Sequence, residues 1–207
     1  MPVQLVLATR NPHKVTELRR ILAGQTEKVE LMGMDAYPGL PDVVETGVTF
    51  AENALLKARF TAEQTGLAAV ADDSGLAVDV LGGSPGVFSA RWSGRHGDDD
   101  ANLDLLLAQL ADVPDQHRGA HFACAATFVS PGGREQVVMG RLPGRLIHER
   151  RGANGFGYDP IFLADGQTRT NAELTADEKD AISHRGRAFR ALAERLPALL
   201  AGEPVNT

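Results

Sequence analysis

The chain alternates between short apolar runs and longer segments in which apolar residues recur every three or four positions. Residues 3–8 form an apolar run typical of a buried strand, and a polar loop follows at residues 9–14. The next segment has helical spacing, with apolar residues at Val15, Leu18, Ile21 and Leu22. The same spacing predicts helices over about 50–66 and 99–112. This half of the chain therefore predicts strands that alternate with helices.

The second half changes to strands joined by tight turns. His121–Val129 is apolar and compatible with a strand, and Pro131-Gly132-Gly133 predicts a hairpin turn into residues 135–140. Further strands are expected at residues 144–149 and 158–163. Crossovers followed by hairpins predict an α/β protein with a mixed sheet.

Two capping boxes mark the starts of helices. Thr49 and Glu52 predict a helix from Phe50, in which Lys57 lies off the apolar stripe. Thr175 and Glu178 predict a short helix. A longer helix is expected to close the chain, with its inward face formed by Ala188, Leu192, Leu196 and Leu199.

An acidic pair follows an apolar run in the segment Ala71-Asp72-Asp73-Ser74-Gly75. The run before it ends at Val70, and a second apolar run begins at Leu76. We therefore expect the pair at the exit of a strand, where acidic residues hold a metal, a proton or a turn. Asp-Ser-Gly is also ordinary turn chemistry, so the motif alone favours a turn and a site equally.

Composition narrows the functional classes. The 207 residues, 43% hydrophobic and 23% charged, are typical of a globular protein, and no linker divides the chain, which predicts a single domain over 1–207. The net charge of −6 argues against nonspecific nucleic-acid binding. A single cysteine, Cys124, fits a reducing compartment, and Met1–Ala8 has neither a cationic region nor the length of a membrane span. We expect a cytoplasmic protein without a membrane partner.

Two segments near the start of the chain are candidates for binding an anion and a metal. The loop at 9–14 joins a strand to a helix, and Thr9, Asn11 and Lys14 add donors of three kinds, although the loop taken alone is better explained as a plain polar turn. No glycine-rich Walker pattern is present. Glu45 alone is expected to be exposed, but together with Asp73 it is a candidate ligand of Mg²⁺.

Two later segments are candidates for binding a base. Gly155–Pro160 places two aromatic residues among glycines, so that a ring could stack on a base, while a bulge with Phe156 in the core is the alternative. Ser183 is a sensible N-cap for the last helix. His184 and Arg185 then lie in the first turn, where the helix dipole disfavours cations, and this broken rule points to function.

These motifs occur together in one order and resemble the inosine triphosphate pyrophosphatase family, also called Ham1-like. The resemblance runs from residue 3 to about 200 and rests on six segments: Thr9–Lys14, Glu45–Phe50 with Glu52–Ala54, Ala71–Leu76, Gly82–Gly86 leading to Ser89–Arg91, Gly155–Pro160, and Ile182–Gly186.

The resemblance implies a homodimer with an elongated mixed sheet, flanked by helices, and a nucleotide cleft between two lobes. It also implies magnesium-dependent hydrolysis of inosine, deoxyinosine and xanthosine triphosphates to the monophosphate and pyrophosphate.

The resemblance further assigns roles to individual residues. Asp73 would be the general base and would bind the metal together with Glu45. The phosphates would be held by Lys57 and Ser74 and by the loop of Thr9, Arg10, Asn11, Pro12, His13 and Lys14. The base and sugar would be held by Phe156, Gly157, Tyr158, Asp159, Lys179, His184 and Arg185.

Other functions fit the sequence less well. A diphosphatase like the septum-formation-inhibitor proteins is disfavoured by the motifs near Phe156 and His184. A nucleotide sensor without turnover is disfavoured by the acidic pair, because negative charge does not help to bind an anion unless a metal intervenes. The Glu-rich helix of Nudix enzymes is absent, and no nucleophile elbow supports a serine triad from Ser74 or Ser183.

Overall fold

The computed structural model describes residues 3–22 and 29–203, and the side chains of His13, Glu17, Ile21 and Leu22 lie outside this description. The strands are β1 Val3–Leu7, β2 Val29–Gly33, β3 Ala68–Val78, β4 Gly119–Val129, β5 Glu135–Leu146 and β6 Phe162–Ala164. The helices are α1 Pro12–Leu22, α2 Phe50–Thr65, α3 Asp99–Gln109, α4 Ala176–Ile182 and α5 His184–Ala201.

The strands form one sheet in the order β2-β1-β3-β4-β5-β6. β1 is parallel to both β2 and β3, and helices α1 and α2 supply the crossovers that parallel neighbours require. β5 and β6 are antiparallel. The predicted mixed sheet is therefore confirmed.

Local sequence signals fix the helix ends as predicted. Thr49 accepts a hydrogen bond from the backbone N–H of Glu52, whose carboxylate accepts one from the N–H of Thr49. Thr175 and Glu178 form the second capping box. α2 ends at Gly66, which adopts a left-handed φ of 68° that favours glycine.

The strand boundaries correct three predictions. The two strands expected at 135–140 and 144–149 are one continuous strand, β5. The strand expected at 158–163 is shorter, because residues 159–161 form a 3₁₀ turn before β6. The third correction concerns the acidic pair, which lies inside β3 and not at its exit.

The chain forms two compact units. The first comprises residues 1–73, 124–140 and 185–207. In its described part, Ala68 and Val70 of β3 pack in a core with Leu18 of α1 and Phe189 and Leu192 of α5. The intervening strand residues, Ala69 and Ala71, pack in a separate core with Ala58 and Ala62 of α2. Successive residues of β3 therefore serve opposite faces of the sheet.

The second unit comprises residues 74–123 and 141–184. Its core joins Leu76 and Val78 of β3 to Leu103 and Leu106 of α3 and to Leu110, which directly follows that helix. Within the described ranges, 3–22 and 29–203, no helix has the length and apolar character needed to cross a bilayer.

Candidate active site

The two carboxylates of the acidic pair lie in mid-strand and have different nearest cations. Side chains alternate along a strand, so Asp72 shares the face of Val70 and Asp73 shares the face of Ala71. Asp72 therefore meets α1 and α5, and Asp73 meets α2. The strand continues through two adjacent charges because each carboxylate has cationic partners, so the turn, one of the two alternatives left open by the motif, is wrong.

Asp72 is the centre of a buried ion cluster. Its carboxylate is fully buried and lies 2.9 Å from Nζ of Lys14 and 3.2 Å from Nε of Arg185. Burial would raise the pKa of Asp72, but the charges of Lys14 and Arg185 outweigh burial and hold this pKa below its ordinary value. Asp72 thus stays ionised and supports two cations, on the face of the sheet opposite to Asp73.

The helix dipole disfavours the positive charge of Arg185 in the first turn of α5, and the negative charge of Asp72 compensates for this. The guanidinium is only 2% exposed, so a countercharge is needed there. The exception to the helix-dipole rule is thus explained by a contact between residues 113 positions apart.

Asp73 belongs to a second cluster, with α2 and the loop before it. Its Oδ2 accepts a hydrogen bond from Nδ2 of Asn53 at 3.1 Å, and its Oδ1 lies 3.9 Å from Nζ of Lys57. Lys57 also donates to Oε1 of Glu45 at 2.6 Å. The ammonium group of Lys57 therefore faces both carboxylates, and its predicted position off the apolar stripe is confirmed.

The pKa values reflect this crowding. Burial raises the pKa of Asp73, and Lys57 and Lys14 do not fully offset it. Burial would lower the pKa of Lys57, but the surrounding carboxylates, Asp73 foremost, raise it above its ordinary value. Lys57 therefore remains a cation.

The donor set fits a divalent ion that also binds phosphate. Glu45 and Asp73 converge on one positive charge, and hard cations such as Mg²⁺ bind carboxylate oxygens. In the part of the chain that the structure describes, no group of three or more His, Cys, Asp or Glu side chains could hold a metal. Mg²⁺ commonly takes only one or two protein carboxylates and completes its shell with water and phosphate.

The loop at 9–14 is shaped by its own side chains. Oδ1 of Asn11 accepts from the N–H of Lys14 at 3.3 Å and caps α1, which begins at Pro12. Thr9 accepts from the N–H of Asn11 at 3.2 Å. Arg10 bonds to Asp42 at 2.9 Å. Of the predicted phosphate-binding residues, only the side chain of His13 lies outside the described part.

In the second unit, Asp159 organises the predicted base-binding residues. Its buried carboxylate accepts from the backbone N–H of Phe156 at 2.9 Å, from Nδ2 of Asn171 at 3.1 Å and from Nζ of Lys179 at 2.6 Å. Nζ of Lys179 also lies 4.8 Å from the centroid of the Phe156 ring, a cation–π distance. Asp159 therefore holds the ring and the ammonium group side by side.

The two aromatic residues of this segment have opposite environments. Phe156 is half-buried, so the alternative with Phe156 in the core is wrong. Tyr158 is the core residue, and its hydroxyl donates to the carbonyl of Ser89 at 2.9 Å. The predicted contact of Tyr158 with a base or sugar is therefore not supported by its side chain, which anchors the segment instead.

The remaining predicted residues lie at the ends of elements. α5 begins at His184, directly after Ser183, as predicted. The His184 ring stacks on Phe122, with centroids 4.9 Å apart and planes at 12°. Ser74 follows Asp73 in β3 and is half-buried.

Comparison with known proteins decides the family. The profile of the Ham1 family matches residues 5–195. This chain belongs to the Ham1 family. The resemblance expected from the sequence motifs is thereby confirmed.

Other Ham1 proteins match this chain over nearly its whole length. A protein of Streptomyces coelicolor named dITP/XTP pyrophosphatase is 67% identical over 197 residues, covering 95% of this chain and 98% of the relative. The crystal structure of a nucleoside-triphosphatase, dITP/XTP pyrophosphatase, from Mycobacterium abscessus has 56% identity and a TM-score of 0.76 over 92% of this chain and 98% of its own. A HAM1 protein from Coxiella burnetii, 40% identical, has a TM-score of 0.86 over 94% and 98%. These matches confirm the predicted α/β fold with a mixed sheet flanked by helices.

Two residues that bond to predicted site residues, one in each unit, were not predicted from the sequence. Asn53 bonds to Asp73, and Asp99 accepts from the backbone N–H of Gly157 at 2.9 Å. Asn53 lies within a motif, which was a usable signal. Asp99 stands in a run of three aspartates at the start of α3, and nothing in the sequence separates it from its neighbours.

Proposed function

We propose that this chain is a hydrolase of ITP, dITP and XTP, which releases the monophosphate and pyrophosphate and so removes deaminated purines from the nucleotide pool. One observation carries the proposal: Glu45 and Asp73 converge on the ammonium group of Lys57 in a chain of the Ham1 family. A relative 67% identical to this chain is named dITP/XTP pyrophosphatase.

The proposed reaction is attack of water on the α-phosphorus. The water oxygen forms a bond to phosphorus, the bond to the bridging oxygen breaks, and pyrophosphate leaves with that oxygen. The carboxylate of Asp73 orients the water and accepts its proton. Phosphoryl transfer depends mainly on positioning and on charge stabilisation, which Lys57, Lys14 and the loop at 9–14 supply.

We propose that Glu45 and Asp73 hold Mg²⁺ when the nucleotide binds. The ion, once bound, neutralises charge on the phosphates and lowers the pKa of nearby groups. Ser74 adds a hydroxyl next to Asp73 for the phosphates. Asp72, on the opposite face of the sheet, supports Lys14 and Arg185 and is not assigned as a ligand.

Base selectivity is proposed to arise from donors that face the 6-oxo group of the purine. Adenine carries an amino donor at that position, so buried donors would be left unpaired, which can reject a ligand by several orders of magnitude. His184, Arg185 and backbone N–H groups are the candidate donors. The half-buried Phe156 ring, with Lys179 beside it, is the candidate surface for stacking the base.

The oligomeric state and the compartment belong to the same proposal. We propose a homodimer that works in the cytoplasm without a nucleic-acid or membrane partner. Light scattering coupled to gel filtration tests the dimer directly, and elution at the mass of one 22.1 kDa chain would contradict it.

A nucleotide panel tests the proposed activity. Pyrophosphate release is measured with ITP, dITP, XTP, ATP and GTP, with and without EDTA. We expect release from the first three, loss of release in EDTA, and recovery with excess Mg²⁺. Asp73→Asn should bind ITP but release no pyrophosphate. Release of orthophosphate, or turnover by Asp73→Asn equal to that of the wild type, would contradict the assignment.

A further inference from the structure

Asn53 bonds to the carboxylate of Asp73 and to the loop that carries Glu45, and the proposed reaction gives it no role. We propose that Asn53 is a positioning residue, which fixes the carboxylate of Asp73 and the loop that carries Glu45 in one arrangement. The proposal rests on the function proposed above, but its geometric content can be tested separately.

Both ends of the Asn53 amide are used, and the residue is fully buried. Its Oδ1 accepts a hydrogen bond from the backbone N–H of Gly47 at 2.8 Å. Its Nδ2 donates to Oδ2 of Asp73 at 3.1 Å. One side chain of α2 therefore links the loop at 45–49 to the middle of β3.

Chemistry fixes which way the amide points. The N–H of Gly47 can only donate, and an ionised carboxylate can only accept. A flipped amide would oppose donor to donor at Gly47 and acceptor to acceptor at Asp73. Aspartate lacks the donor and leucine lacks both groups, so neither can replace Asn53 at this position.

The loop reaches Asn53 because residue 47 is glycine. A Cβ atom there would lie 2.6 Å from Cβ of Glu52, 2.7 Å from Oδ1 of Asn53 and 2.9 Å from its backbone nitrogen. Two further bonds hold the loop, from the N–H groups of Val48 and Thr49 to Oε2 of Glu52 at 2.7 and 3.1 Å. Glu45 thus stands two residues from the point at which the loop is attached to α2.

The bond from Asn53 also selects how Asp73 presents its two oxygens. Oδ2 faces the amide, while Oδ1 faces Lys57. A carboxylate held on one oxygen cannot rotate without losing a buried, charge-assisted hydrogen bond. Catalysis that depends on placing a water molecule is sensitive to displacements of about 1 Å, which can cost about a hundredfold in rate.

The chain offers a matched control in Asn102. It is also a buried asparagine on a helix, and its Oδ1 accepts the backbone N–H of Ser93 at 2.7 Å. In the described part of the chain its Nδ2 has no hydrogen-bond partner. Asn102→Ala therefore deletes a comparable buried amide without touching a carboxylate of the site.

The test compares Asn53→Ala, Asn53→Asp and Asn102→Ala in the full-length enzyme with ITP and saturating Mg²⁺. We expect kcat to fall about a hundredfold in both Asn53 variants, with KM within about threefold. Asn102→Ala should keep kcat within about threefold of the wild type. Equal loss of kcat in Asn53→Ala and Asn102→Ala, or an unchanged kcat in Asn53→Asp, would overturn the positioning role.

Hydrogen exchange without metal or nucleotide gives a second readout. Asn53→Ala should speed exchange of the Gly47 amide in peptides covering residues 43–49, whereas Asn53→Asp keeps the acceptor and should preserve protection. If the wild type releases no pyrophosphate from any nucleotide, the proposed function fails, and this measurement still tests the bridge. Fast exchange of the Gly47 amide in the wild type would overturn the proposed link between Asn53 and the loop.

Discussion

Asp72→Asn and Asp73→Asn remove the same charge from adjacent positions, and we expect different effects on the free energy of unfolding. Asp72 is fully buried and provides the countercharge for Arg185, which is 2% exposed, and for Lys14. The substitution Asp72→Asn would leave the guanidinium buried without that charge. Asp73 shares Lys57 with Glu45, so Asp73→Asn leaves Lys57 paired at 2.6 Å.

The expected magnitudes follow from burial. Removing one partner of a buried ion pair costs about 3–5 kcal/mol. Solvent does not reduce this cost at Asp72, because the carboxylate is inaccessible. For a chain of this size, 1 kcal/mol corresponds to about 2–4 °C in Tm, so Asp72→Asn should lower Tm by about 6–20 °C.

Asp73→Asn should cost less than the roughly 3–5 kcal/mol of a broken buried ion pair, because Lys57 keeps Glu45 as its partner. Burial raises the pKa of Asp73, which means that folding favours its neutral form. At neutral pH the charged carboxylate therefore costs stability, and an amide removes this cost. The amide oxygen can still accept the hydrogen bond from Asn53.

Scanning calorimetry at pH 7 without metal measures both variants, with circular dichroism to establish that each is folded at 20 °C. We expect the Tm of Asp72→Asn to lie clearly below that of Asp73→Asn. Equal melting temperatures, or a greater loss in Asp73→Asn, would refute the assignment of Lys14 and Arg185 as the nearest cations of Asp72, and of Lys57 as that of Asp73.

Three further predictions concern the second unit. His184→Phe should keep the stacked ring and remove its donors, so kcat/KM should fall more for ITP than for ATP; equal losses would remove His184 from base recognition. Asp99→Ala should raise KM for ITP, because the N–H of Gly157 loses its acceptor; Asp99→Asn should restore KM, and Asp100→Ala should leave it unchanged. The ion pair with Arg169 and the capping box lower the pKa of Glu178 to about 2. The stability that the Glu178 carboxylate contributes is therefore present above about pH 4.5 and is lost as pH falls through about 2. The difference in Tm between the wild type and Glu178→Gln should close over that range.

The parts of the fold that depend on neighbouring residues could be predicted from the sequence. Thr49 with Glu52 and Thr175 with Glu178 are capping boxes whose atoms lie within four positions of each other. The apolar face of α5 follows from helical spacing alone. These signals depend only on residues close in sequence, so they do not depend on tertiary contacts.

The arrangement of the candidate site could not be predicted from the sequence, because it depends on contacts between residues that are far apart in the chain. Nothing near Asp72 in the sequence shows that Arg185 will neutralise it, and without that knowledge two adjacent acids suggest the end of a strand. Phe156 and Tyr158 are both aromatic and stand two positions apart, and the hydroxyl of Tyr158 donates to the distant carbonyl of Ser89. Which ring is buried is therefore decided by tertiary packing.

Because Asp72 and Asp73 lie on opposite faces of β3, the site is sensitive to the insertion or deletion of a single residue in this strand. Deleting or adding one residue between Ala68 and Asp72 would turn every later side chain of β3 to the other face and exchange the two carboxylates. A change of two residues would keep the faces, although it would shift the strand along its neighbours. Natural length variation should therefore be confined to the loops on either side of β3, however freely single side chains in the strand are replaced.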